Sequence, residues 1–200
     1  MNYLAHIYLS GDNDLISIGN FIADGIKGKA YLNYPRDFRI GILLHRNIDT
    51  YTDSHPIVRQ STKRLHNKYS HYSGVIVDIF YDHFLAKYWN KYCDTPLSDY
   101  TTQFYEALQT HYDILPDKIK NMLPYMLQDN WLVSYASIDG ISKVLEGMNR
   151  RTKYKSGMNE AVKELETFYT EFENEFFLFF EDLKQFSELR LLEHSKNILE

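Results

Sequence analysis

From Gly74 to Ala86 the chain reads Gly-Val-Ile-Val-Asp-Ile-Phe-Tyr-Asp-His-Phe-Leu-Ala, almost wholly apolar and aromatic, with Asp78, Asp82 and His83 but no Lys or Arg. As a helix, this stretch stacks Asp78 and Asp82 one turn apart on one face. Val75, Ile76, Ile79, Phe80, Phe84 and Leu85 leave little of its circumference polar, which predicts a largely buried helix. Two stacked carboxylates in such a place repel each other and lose hydration, at a cost of several kcal/mol unless a cation or strong donors compensate. They face a polar cleft or they help to hold a metal. The rest of the chain has to supply their partners.

Long periodic runs with few breakers point to an all-α chain: 9 Gly and 5 Pro are spread over 200 residues. The 44% hydrophobic and 16% aromatic content predicts a folded globule. With no repeat and no composition shift, residues 1–200 read as a single helical domain, a multi-helix bundle. The lone Cys93 excludes an intramolecular disulfide and suits a reducing cytoplasm. The opening MNYLAHIYLSGDND lacks the basic region and long apolar run of a secretory signal. No run of about eighteen apolar residues suggests a membrane span. The expectation is a cytoplasmic protein with no membrane partner.

The net charge of −5 is unevenly spread. Residues 1–77 carry nine Lys/Arg against six Asp/Glu, and residues 158–200 carry four against eleven. The basic first third suits an acidic partner, and the acidic end reads as a solvated face. This balance disfavours general nucleic-acid binding.

Read in order, residues 2–10 form a short helix, and Asp12 or Asn13 caps the next, which carries Leu15, Ile18, Phe21, Ile22 and Ile26 to a stop near Gly25–Gly28. Pro35 opens a helix that runs to about Asp53. Pro56 starts another, reaching roughly Ser70, with Arg59, Lys63, Arg64 and Lys68 as an exposed basic surface. The apolar helix extends to about Tyr92, Leu97–Asp113 follows, and Pro116 and Pro124 bracket a shorter segment. Trp131, Leu132 and Tyr135 begin another piece before a helix over Ile138–Arg151. Residues 158–195 form a long acidic helix or a pair, with Phe168, Phe172, Phe176, Phe179 and Phe180 as the apolar face.

Four polar clusters stand out: His6; Asp24; His45, Asp49, Asp53 and His55; and Asp78, Asp82 and His83. Gly41, His45, Asp49 and Asp53 recur every four residues and border the apolar stripe of their helix, at the edge of the core. His and Asp one turn apart is good spacing for metal ligands, or for an imidazole oriented by a carboxylate. Each cluster alone also admits a plainer reading: a satisfied core histidine, a helix cap, or a surface hydrogen-bonded pair. There is no G-x-S-x-G, P-loop, G-x-G-x-x-G or C-x-x-C, and Cys93 beside Asp94 is poorly placed for a nucleophile. A ligand inventory of His and Asp without thiolate favours Mn²⁺, Mg²⁺ or Fe²⁺, with catalytic Zn²⁺ also compatible. It suits metal-assisted phosphoester hydrolysis.

The segments Met1-Asn-Tyr-Leu-Ala-His6, Gly19-Asn-Phe-Ile-Ala-Asp24, Gly41-Ile-Leu-Leu-His-Arg-Asn-Ile-Asp-Thr-Tyr-Thr-Asp-Ser-His-Pro56 and Asp78-Ile-Phe-Tyr-Asp-His-Phe-Leu-Ala86 resemble the acyl carrier protein phosphodiesterase family. Gln128-Asp-Asn-Trp-Leu132 and Gly147-Met-Asn-Arg-Arg151 are similar to its later motifs. The resemblance covers essentially the whole chain in the same order. It implies an all-helical fold related to the HD-type metal phosphohydrolases, although the adjacent pair here is Asp82-His83, in reverse order. It also implies hydrolysis of the phosphodiester joining 4′-phosphopantetheine to a serine of holo-acyl carrier protein, with a divalent metal, usually Mn²⁺.

On that basis Asp24, His45, Asp49 and Asp82 are the expected metal ligands, with Asp78 beside them and Asp82 favoured over Asp78 for direct contact. His6, Asp53 and His83 are the expected catalytic acid or base groups, since a leaving serine alkoxide needs a proton donor. Lys27, Arg46, Arg150 and Arg151 are expected to neutralise the phosphate, and Arg59, Lys63, Arg64 and Lys68 to dock the acidic carrier. The alternatives are an HD-like phosphohydrolase of a nucleotide or another small phosphoester, and a non-enzymatic helical module that binds an acidic partner.

Overall fold

The apolar stretch becomes α5 (Ser73–Lys87), a helix apolar on nearly every side, and such a helix must be surrounded. In the computed structural model, which describes residues 1–197, it packs against α1 (Tyr3–Tyr8), α4 (Pro56–Tyr69), α9 (Ile138–Arg151) and α11 (Tyr169–Asn197). Phe80, Tyr81, Phe84 and Leu85 are fully buried. The other helices are α2 (Asp14–Ile22), α3 (Arg36–Ser54), α6 (Leu97–Thr110), α7 (Asp117–Gln128), α8 (Trp131–Ser134) and α10 (Val162–Thr167). Among the described residues there is no strand, and one hydrophobic core runs from Met1 to Leu183. The all-α expectation holds.

Helix α11 supplies the opposite wall of that core. Phe172, Phe176, Phe179 and Phe180 are buried completely, with Phe172 edge-on to Phe80 at 5.1 Å and Phe176 edge-on to Tyr81 at 5.8 Å.

The contact that positions the site is between α2 and α3. A Cβ on Gly41 would lie 2.1 Å from the Ile16 carbonyl oxygen, and one on Gly19 would lie 2.3 Å from that of Phe38. Only glycine at both positions lets the two backbones approach this closely. Asn20 and Asp24 are thereby set against His45 and Asp49. Asn13 caps α2, accepting from the Leu15 and Ile16 amides.

Several boundaries differ from the sequence reading. Pro35 is the residue before α3 rather than its first. Helix α5 stops at Lys87, not Tyr92, where Trp89 Nε1 donates to the Thr95 carbonyl at 2.8 Å and the chain tightens into a 3₁₀ turn over Trp89–Lys91. Pro124 lies inside α7, where the buried face of Ile119, Met122, Leu123 and Met126 outweighs the lost backbone hydrogen bond. The acidic C-terminal segment, expected as one long helix or a pair, is the pair, α10 and α11, broken at Phe168.

Candidate metal centre

His6 comes from α1, Asp24 from the 3₁₀ turn Ala23–Gly25 that ends α2, and His45 and Asp49 from successive turns of α3. The imidazoles of His6 and His45 stack with centroids 4.1 Å apart and are 3% and 7% exposed. His6 Nε2 lies 3.2 Å from Asp49 Oδ1, and His45 Nε2 lies 3.0 Å from Asp49 Oδ2 and 3.3 Å from Asp24 Oδ1. One ligand atom from each of His6, His45 and Asp49 falls within 4.8 Å of the others. This is the spacing a divalent ion needs.

The opposite ring nitrogens meet on Asn20. His6 Nδ1 is 2.8 Å and His45 Nδ1 3.2 Å from the same Asn20 Oδ1. Burial, and next to it the neighbouring His45, hold the His6 imidazolium below its ordinary pKa. Burial opposes protonation of His45 too, but its hydrogen bonds to Asp24 and Asp49 prevail and raise it to about 9. Burial works against the Asp49 carboxylate, yet His45 and His6 pull it well below the usual range. The contact with His45 lowers Asp24 against burial. In the tautomer in which a neutral His6 donates through Nδ1, its Nε2 lone pair faces Asp49 Oδ1, and only a cation between them relieves the two acceptors. That donor set fits a cation: nitrogen and carboxylate oxygen, without sulfur, suits Mn²⁺, Fe²⁺ or Zn²⁺.

The cluster forms the floor of a cleft of about 790 Å³. Asp53 and Asp78 also line it. Asp78 pairs with the Met1 ammonium at 2.9 Å. Burial raises the Asp53 carboxyl, and Asp78 and Asp49 add to the shift. Tyr3, Val75, Ile79, Trp131, Tyr135 and Val144 form an apolar and aromatic wall. Lys118 on α7 and Lys143, Arg150 and Arg151 on α9 stand along the rim, all exposed. Arg151 rests on the sulfurs of Met148 and Met122 at 3.5 and 3.6 Å. Among the described residues no carboxylate forms a salt bridge with these four cations.

The structure therefore gathers His6, Asp24, His45, Asp49, Asp53 and Asp78 in one cleft, with Arg150 and Arg151 at its edge. It does not bring Asp82 there. Both Asp82 oxygens are occupied by the first turn of α1, accepting from Leu4 N at 2.7 Å and Ala5 N at 3.3 Å, and the residue is fully buried. His83 is likewise engaged elsewhere, its Nδ1 at 2.8 Å from the Tyr135 carbonyl and its Nε2 at 2.8 Å from the Tyr169 hydroxyl. Arg46 donates to the Ile26 and Gly28 carbonyls and so braces the loop after α2, and Lys27 is exposed outside the cleft. On α4, Arg64 forms a two-pronged ion pair with Glu175, and Lys68 pairs with Glu164 at 2.7 Å. Arg59 and Lys63 are exposed but lie outside the cleft. Asn20, Tyr3, Lys118 and Lys143 were not singled out by sequence. The only sequence signal for them is that Tyr3 and Asn20 fall inside two of the family-like segments.

The family model described as acyl carrier protein phosphodiesterase matches residues 1–183. The chain is 32% identical over 181 residues to the acyl carrier protein phosphodiesterase of Photorhabdus laumondii, covering 90% of this chain and 91% of that one. It is 31% identical to one from Escherichia coli over 90% and 94% of the two chains. It is 28% identical to that of Pectobacterium atrosepticum over 96% and 100%. No solved structure matches. The chain belongs to the acyl carrier protein phosphodiesterase family.

Proposed function

We propose that this protein hydrolyses the phosphodiester joining 4′-phosphopantetheine to a serine of holo-acyl carrier protein, releasing the apo-carrier and free 4′-phosphopantetheine. The observation that carries this reading is the His6/His45/Asp49 cluster on the floor of a long cleft with an apolar wall and a cationic rim. His6, His45 and Asp49, with Asp24 completing the set, would hold a divalent ion, Mn²⁺ in this reading, on an HD-related helical scaffold. When bound, the ion supplies charge neutralisation at a phosphate oxygen and a lowered pKa for an attacking water.

The remaining steps belong to the chain's own groups. Arg151, braced by two methionine sulfurs and paired with no carboxylate among the described residues, binds the phosphodiester as its negative charge builds up. Water adds to phosphorus and releases a proton to solvent, the P–O bond to the serine breaks, and the serine alkoxide needs a proton. Asp53 is the donor in the cleft, because burial and the charges of Asp78 and Asp49 favour its protonated form. The wall of Val75, Ile79, Trp131 and Val144 covers the pantetheine arm and excludes water. Lys118, Lys143 and Arg150 dock the acidic carrier at the rim. They replace Arg64 and Lys68 in that role, whose charges Glu175 and Glu164 already neutralise. A cytoplasmic setting, where such carriers act, accords with the lack of any helix among the described residues long and apolar enough to cross a membrane.

The test is to incubate holo-carrier protein with this protein and Mn²⁺ and follow the carrier mass. Loss of the phosphopantetheine mass, blocked by chelator, supports the reading. An unchanged carrier with rapid hydrolysis of free nucleotides would overturn it.

A further inference from the structure

We infer that Asn20 is the positioning residue of the metal centre: one carboxamide oxygen fixes the tautomer and aim of both imidazoles. This rests on the proposed metal site and concerns a residue that no motif assigned.

The orientation of the Asn20 amide follows from its surroundings. Its nitrogen side lies 2.9 Å from the His6 carbonyl oxygen, which can only accept, so that atom must be Nδ2. Nδ2 also donates to Ser10 Oγ at 2.9 Å, and Ser10 Oγ in turn donates to the His6 carbonyl at 2.8 Å. The remaining atom, Oδ1, is an acceptor with two lone pairs, and it meets His6 Nδ1 and His45 Nδ1. Both histidines must therefore carry a proton on Nδ1. Nε2 of each ring is then the atom left to meet one cation on the Asp49 side.

Asn20 is fully buried, so water cannot substitute for its oxygen. It sits one residue after Gly19, at the closest approach of α2 to α3, so the same contact that joins the helices delivers the amide between the rings. Without that acceptor, His6 has a better arrangement: its proton moves to Nε2 and is donated to Asp49 Oδ1, already 3.2 Å away. That tautomer closes the site to a metal. Outer hydrogen bonds that orient metal-bound histidines typically contribute 10- to 100-fold in affinity.

The experiment compares wild type, Asn20→Leu and Asn20→Asp. Mn²⁺ affinity is measured by calorimetry, and the imidazole nitrogens are assigned by ¹⁵N NMR in chelator-treated and Zn²⁺-loaded protein. Asn20→Leu should weaken Mn²⁺ binding roughly 10- to 100-fold and move the His6 proton to Nε2. Asn20→Asp keeps an oxygen for both Nδ1–H groups, and its other oxygen must be protonated to donate to the His6 carbonyl, so affinity within a few-fold of wild type and unchanged tautomers are expected below the pH at which that carboxyl ionises. Wild-type affinity and tautomers in Asn20→Leu would overturn the inference. So would loss of Mn²⁺ binding in a folded Asn20→Asp, a comparison that remains decisive if the leucine variant does not fold. Failure of the wild type itself to bind Mn²⁺ would instead sink the metal site, and no outcome depends on turnover.

Discussion

Gly41 packs so tightly against Ile16 that the Ile16 carbonyl oxygen occupies the space where a side chain on Gly41 would begin, 2.1 Å from its Cβ position. The metal centre depends on this contact, because it spaces Asn20 and Asp24 from His45 and Asp49. Gly41→Ala forces α2 and α3 apart, and overpacking of this kind costs roughly 3 kcal/mol. The expected result is a melting temperature lower by about 6–12 °C and weaker Mn²⁺ binding in the protein that remains folded. An unchanged melting temperature would show that the helices are not held at this distance.

Asp49→Asn should lower Mn²⁺ affinity by more than about 100-fold and abolish turnover, with the helical circular dichroism intact. His83→Gln should leave Mn²⁺ binding within a few-fold, since His83 faces Tyr135 and Tyr169 rather than the cleft. The reverse pattern, read by metal content after gel filtration, would return the site to α5.

Asp82 makes a pH prediction with a definite sign. Burial pushes its carboxyl from 3.8 up to about 7, against the pull of the Met1 ammonium and of the Leu4 and Ala5 amides. The native state therefore binds this proton more tightly than the unfolded state does. The contribution is greatest below the unfolded value, falls as pH rises toward 7 and levels off above it, by on the order of 4 kcal/mol in all. Urea unfolding of wild type and Asp82→Asn at pH 4.5 and 7.5 reads it: the wild-type advantage should shrink at the higher pH. Growth of that advantage with pH would contradict the assignment.

The rim can be tested by charge reversal. Lys143→Glu with Arg150→Glu should raise KM for holo-carrier protein about tenfold at low salt, leave kcat nearly unchanged, and lose this effect at high salt. Arg59→Glu with Lys63→Glu on α4 should leave KM unchanged. If the α4 pair alone raises KM, the carrier docks on the other side.

The sequence exposed what lies within one helix and concealed what lies between helices. His45 and Asp49 are legible as a ligand pair because α3 itself sets them one turn apart. The carboxylates stacked on α5 call for a cation or strong donors, and the groups that compensate them are not side chains. Asp82 caps the backbone amides of α1 and Asp78 meets the Met1 ammonium, groups that a one-letter sequence does not display. Asn20 carried no signal of its own, because an amide becomes informative only once α1, α2 and α3 converge on it. The pairing of Arg64 and Lys68 on α4 is hidden for a related reason: Glu175 and Glu164 lie about a hundred residues away in the chain and directly beside them in space.

The most direct test of the account is an anomalous-scattering map of crystals soaked in Mn²⁺. A single peak bounded by His6 Nε2, His45 Nε2 and the Asp49 carboxylate is the predicted result. A peak between Asp78 and Asp82, or no peak within the cleft, would contradict it.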